Sequence, residues 1–114
     1  MGTDVFEGAA IMVGYAYTQR LVADAAIFPE GATFAAQVRG RVSSDAVLTT
    51  LTTGAGISRI SDTEIEVTIP ADATANMPVG TVVMDVVRTD TDPEQHMQFL
   101  LEIPVQLPVT RGVG

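Results

Sequence analysis

The chain has 114 residues, with 14 Asp and Glu against six arginines and no lysine, for a net charge of −8. That length supports one domain. The charge argues against general nucleic-acid or anionic-membrane binding, since both need a cationic face. With no Cys, no Trp and one His, disulfide scaffolds, thiolate zinc sites, cysteine nucleophiles and His-rich metal centres are excluded too.

Val, Ile and Thr number 15, 7 and 14, and such β-branched side chains favour pleated, half-buried surfaces over helices. Residues 1–30 read as an N-terminal arm with the first strand or strands, Ala10 to Tyr17 being one candidate. Residues 31–114 read as the body of the domain. Thr33 to Gly40 alternates, with Phe34, Ala36 and Val38 inward and Gln37 and Arg39 outward. Ala46 to Thr53 is a second candidate, broken by Gly54 and Gly56 before a short strand from Ile57 to Ile60. Thr63 to Ile69 sets Ile65, Val67 and Ile69 against Glu64, Glu66 and Thr68, one dry face and one wet face.

Ala71 to Met77 is the one helix-like piece. Pro70 and Pro78 bound it, so a single turn is the most it can form. Gly80 to Arg88 has the apolar character of a central strand. Thr89 to His96 is a polar turn containing Pro93, and Met97 to Ile103 closes the hairpin. Pro104 and Pro108 make Pro104 to Arg111 a strand at an edge, or one paired on a single side. Seven or eight short strands with frequent turn signals indicate an all-β, antiparallel sandwich.

No basic stretch precedes an apolar core near the start, the first basic residue being Arg20. The longest charge-free run, Ala46 to Ser58, is 13 residues, short of the roughly 20 needed to span a bilayer. The expectation is synthesis in the cytoplasm without a signal peptide or transmembrane segment.

Chemistry is thinly represented. His96 stands among acidic and amide residues and reads as a solvated loop histidine. Asp90, Asp92 and Glu94 alternate like the opening of a calcium loop. The pattern then fails, with Gln95 at the glycine position and Leu101 at the bidentate position. They are weak metal candidates in a chain for which no metal or cofactor is expected. Glu64 and Glu66 share one strand face and read as solubilising, whereas glycosidase carboxylates face each other across a cleft. Tyr15 and Tyr17 read as core packing. No serine sits in a nucleophile elbow, and the expectation is that the chain is not an enzyme.

Arginine without lysine favours planar, bidentate contacts of the kind found at interfaces. Elevated genomic GC content produces the same bias. Arg39, Arg41, Arg59 and Arg111 are the candidate interface residues, with Phe6 in the N-terminal arm.

From about residue 33 to 112 the chain resembles a family of small domains from tailed-phage and prophage structural regions. That family includes the N-terminal domain of upper-baseplate proteins. The stretches that carry the resemblance are Phe34 to Arg39, Leu48 to Thr53 with Gly56 and Ile57, Ile65 to Ile69 followed by Ala73, Thr74 and Gly80, Val83 to Asp85, and Pro108 to Arg111. Met84 and Glu102 depart from the family pattern, which commonly has Tyr and Gly there. The resemblance implies an immunoglobulin-like β-sandwich acting in a virion without catalysis. In baseplate members the closing Val-Thr-Arg leads into a fibre. Here Gly114 follows three residues after Arg111, so a free-standing module is expected.

That reading is a decoration or cement protein of the capsid, a homo-oligomer in the assembly that contacts the major capsid protein. The alternatives are a tail, connector or baseplate adaptor and, from another class, a calcium- or carbohydrate-binding module using the Thr89 to His96 loop.

Overall fold

Alternation along the sequence is realised strand by strand. The computed structural model describes residues 4–41 and 43–109, and at 4–7, 98 and 99 the backbone only. The elements in chain order are β1 (Asp4–Glu7), β2 (Ile11–Met12), β3 (Tyr17–Val22), β4 (Phe34–Arg39), β5 (Val47–Thr53), β6 (Gly56–Ser61), β7 (Glu64–Ile69), α1 (Ala71–Thr74), β8 (Gly80–Arg88) and β9 (Gln95–Gln106). The fold is all-β. Hydrogen bonding makes one sheet in the order β1-β9-β8-β4-β5-β6-β7-β3, with β2 continuing β1 along β9.

The sheet curls almost into a barrel, with β4, β7, β8 and β9 each turning alternate side chains onto one core. Phe34, Ala36 and Val38 enter from β4, Ile65, Val67 and Ile69 from β7, Val82, Met84 and Val86 from β8, and Leu101, Ile103 and Val105 from β9. Phe28, in the β3–β4 connection, meets Phe34 edge to face with ring centroids 5.4 Å apart, a geometry that suits the ring quadrupoles.

Three expectations are corrected. Ala10 to Tyr17 is not one strand: β2 ends at Met12, the chain turns with the Tyr15 N–H donating to the Met12 carbonyl at 3.0 Å, and β3 begins at Tyr17. Nor is the sheet wholly antiparallel, since β1 and β2 pair parallel to β9 and β5 pairs parallel to β6.

Pro104 explains how β9 has neighbours on both sides. The Glu102 carbonyl accepts from the Gly8 N–H at 2.8 Å and the Gln106 carbonyl from the Val13 N–H at 3.0 Å, so Pro104 between them faces the same edge. A proline offers no N–H there, and the β1/β2 strand is interrupted opposite it, over residues 8–10. The expected edge strand at 104–111 is thus replaced by an interior strand that ends at Gln106. Residues 110–111 lie outside the described residues.

The sheet turns at a narrow joint. β5 and β6 share only the pairs Thr52 with Gly56 and Thr53 with Ile57. Gly56 has φ +109°, and a Cβ there would lie 2.7 Å from Leu51 Cδ2 and 3.1 Å from the Thr68 carbonyl oxygen. At the other seam Thr74, wholly buried, ties α1 to the β2–β3 turn. Its hydroxyl accepts from the Gly14 N–H at 3.1 Å and donates to the Tyr15 carbonyl at 2.8 Å, with the Ala71 carbonyl 3.1 Å away.

Gly56→Ala combines a strained backbone with a steric conflict and is expected to destabilise the fold by roughly 2–4 kcal/mol, read as a lower denaturant midpoint. Thr74→Val keeps the shape but leaves the part-buried bonds to the Gly14 N–H and the Tyr15 carbonyl unmade. It is expected to cost about 2 kcal/mol and lower Tm by roughly 10 °C. An unchanged melting curve would remove the hydroxyl from this role.

Candidate functional site

Three arginines of the outer surface, Arg20, Arg59 and Arg88, pair with carboxylates of the same chain. Arg20 on β3 stands opposite Glu66 of β7, with its Nε 3.3 Å from Glu66 Oε2 and its Nη1 3.0 Å from Glu64 Oε2. These carboxylates hold the guanidinium proton more firmly than usual. The two glutamates read as solubilising therefore form a cross-strand clamp on Arg20.

Arg59 donates through Nε to the Phe28 carbonyl at 2.8 Å and through Nη2 to Asp62, pinning the β3–β4 connection to the β6–β7 turn. Arg88 holds Asp90 through two bonds, at 2.8 and 3.0 Å. Those bonds, with a further one from the Thr33 N–H, hold the Asp90 carboxyl down at about 2. Arg39 donates to the Ser44 carbonyl at 2.7 Å and to Gln37 Oε1 at 2.9 Å.

These contacts place the expected site residues. Arg39 closes the β4–β5 loop of its own chain, and Arg41 is exposed beside it. Arg59 lies toward the far end of the sheet, since β5 runs antiparallel to β4 and β6 continues beyond it. The arginines therefore do not converge on one surface. Arg111 and the Phe6 side chain lie outside the described residues.

Asp90, Asp92 and Glu94 follow one another in the β8–β9 loop, but Asp90 is committed to Arg88. Among the described residues no group of three acidic or imidazole side chains is placed to hold a metal ion.

His96 is not a solvated loop residue. It belongs to β9 opposite Val87, where the β8–β9 register shifts. Its Nε2 is 2.8 Å from Asp85 Oδ2, the next outward side chain of β8. A diagonal cross-strand pair of this kind needs the register, which the linear sequence does not display.

Apolar surface gathers instead at one end. Ala10, Met12, Tyr15, Ala16, Tyr17, Pro108 and Val109 line an open groove of about 520 Å³, and Leu107 and Val79 stand exposed close by. β2, the β2–β3 turn and the exit of β9 build it, and Thr74 locks the turn from behind. Of the two tyrosines read as core, Tyr17 is buried whereas Tyr15 is exposed on the rim. The Tyr17 hydroxyl donates to Gln19 Oε1 at 3.0 Å, and burial pushes its pKa up to about 12. A smaller, more enclosed depression of about 470 Å³, lined in part by Thr49, Thr50, Ser58 and Thr68, lies over the β5–β6 joint.

No protein-family model and no curated protein matches the chain. No helix among the described residues is long and apolar enough to cross a membrane. The groove has the character of a contact surface: apolar walls, an aromatic rim and a floor fixed by hydrogen bonds.

Tyr17 makes the groove sensitive to alkali. Its folded pKa lies above the ordinary value of 10.0, so its contribution to stability is complete below that value and is lost as pH rises toward about 12. Tm is expected to fall across this window in the native chain, with a smaller fall in Tyr17→Phe. Equal alkaline losses in the two proteins would exclude Tyr17 as the titrating group.

Proposed function

We propose that the chain is a non-enzymatic structural protein of a tailed-phage virion, a small decoration or cement module that stabilises the capsid through contacts with the major capsid protein and other copies of itself. The observation that carries this reading is the division of the surface. Three of the described arginines are spent on carboxylate clamps within the chain, while most of the exposed large apolar side chains gather at one end. A module with that division gains stability by burying its end against a neighbour, and symmetry repeats the contact over a shell. The resemblance of residues 33–112 to phage structural domains supplies the class of assembly.

The finer fold reading belongs with this proposal. The two-pair joint between β5 and β6 supports a two-layer, immunoglobulin-like description, with β1/β2, β9, β8, β4 and β5 facing β6, β7 and β3. Arg41, the exposed member of the arginine set, is the described side chain best placed to bridge to a neighbouring carboxylate.

A tail, connector or baseplate adaptor is the second reading, which follows from the resemblance of the sequence to upper-baseplate domains. Both readings place the protein in the virion, and copy number separates them. Quantitative mass spectrometry of purified particles is expected to give hundreds of copies for a shell protein and about a dozen for an adaptor. Particles that lack the protein would overturn both.

A further inference from the structure

The two ends of the sheet differ in chemistry. At one end lie the β3–β4 connection, the β6–β7 turn and the β8–β9 loop, joined by the bond from the Phe28 N–H to the Asp62 carbonyl and by that from the Thr33 N–H to Asp90. These loops carry Asp24, Glu30, Asp62, Asp90, Asp92 and Glu94, set against Arg59 and Arg88. At the other end lie β2 with its turn, α1, the start of β8 and the exit of β9. Among the described residues the charges at this end are Asp72 on α1 and, in and beside the β4–β5 loop, Arg39, Arg41 and Asp45, two of each sign.

The same end carries most of the large apolar side chains that are exposed. Val109 is 98% exposed, Val79 66% and Leu107 55%, with Met12 and Tyr15 beside them, whereas Val22, at 72%, and Ile60 are exposed toward the β6–β7 turn at the other end. The molecule therefore has an acidic end and a nearly neutral, apolar end. Its longest extent is 42 Å, matching the roughly 40 Å of a twelve-residue strand such as β9, so the two ends are separated by the full length of the sheet.

We propose that the apolar end is a self-association surface on which a second copy docks end to end about a two-fold axis. Three observations select a second copy as the occupant. Two copies of charge −8 repel least when their acidic loops point away from each other, and only end-to-end contact of the apolar faces achieves that. An apolar patch is chemically self-complementary, as a two-fold contact requires. The end also has enough area: the shorter extents of 28 and 23 Å give a face of about 500 Å² per copy, hence about 1,000 Å² in the pair, the lower bound for a specific association. A contact at that bound makes a weak dimer, with Kd of roughly 10–100 μM. This inference concerns the free chain and rests on the same apolar end that the virion reading uses.

Sedimentation velocity of the full chain at about 0.15 M salt, over a range of roughly 5 to 500 μM, tests it. The weight-average mass is expected to climb from one copy toward two. Leu107→Asp and Val79→Asp replace exposed side chains and are expected to leave Tm unchanged while weakening association at least tenfold. Glu94→Gln at the acidic end is expected to leave the association constant within twofold of the native value. A native chain that sediments as one copy throughout would overturn the proposal, whatever it binds in a particle. So would self-association that survives Leu107→Asp and Val79→Asp, or that responds to Glu94→Gln as strongly as to them.

Discussion

Gly56 sits where the sheet changes direction, and the architecture depends on how closely the chain approaches itself there. Its positive φ and its nearness to Leu51 and to the Thr68 carbonyl let β5 hand over to β6 through only two residue pairs. A longer ladder would hold the two strands side by side and oppose the bend. With a short one, β6, β7 and β3 swing round until Ile57, Ile65, Val67, Ile69 and Tyr17 join the same core as the side chains of β4, β8 and β9. One core rather than two half-exposed faces is what a chain of this size needs to be stable.

Curling a sheet leaves two edges to be reconciled, one formed by β1 and β2 and the other by β3. They are joined by side chains rather than by a ladder. Gln19 Oε1 on β3 accepts from the Ala9 N–H at 3.3 Å as well as from the Tyr17 hydroxyl, and Gly8 leaves room for that hydroxyl, which would lie 2.9 Å from a Cβ there. The interruption that Pro104 imposes on β1/β2 coincides with this seam. A residue unable to donate a hydrogen bond and a residue without a side chain thus mark the place where the barrel nearly closes. Covering an edge in this way limits unwanted strand pairing.

Local pattern made much of this legible. β4, β7 and β8 follow the alternation of Phe34 to Val38, Ile65 to Ile69 and Val82 to Val86, because one face of each is dry and a period of two has a single interpretation. The single turn of α1 follows from its bounding prolines. What escaped depends on partners distant in the chain. The break between β2 and β3 is set by Thr74, about 60 residues away, and the parallel pairing of β1 with β9 joins residues nearly a hundred positions apart. The Arg20 clamp and the His96–Asp85 pair need the register of neighbouring strands. The apolar end escaped for another reason: Met12, Val79 and Leu107 belong to three separate segments, none of which reads as a patch by itself.

The groove exists only after β2 has paired with the end of β9, which brings residue 11 to residue 105. Contacts at such separation form late, since the intervening loop must first be closed. A nascent or partly unfolded chain carries the same apolar side chains but not the surface they form together. On the proposed self-association, docking through this end would act as an inspection of the finished fold, admitting complete molecules and passing over the rest.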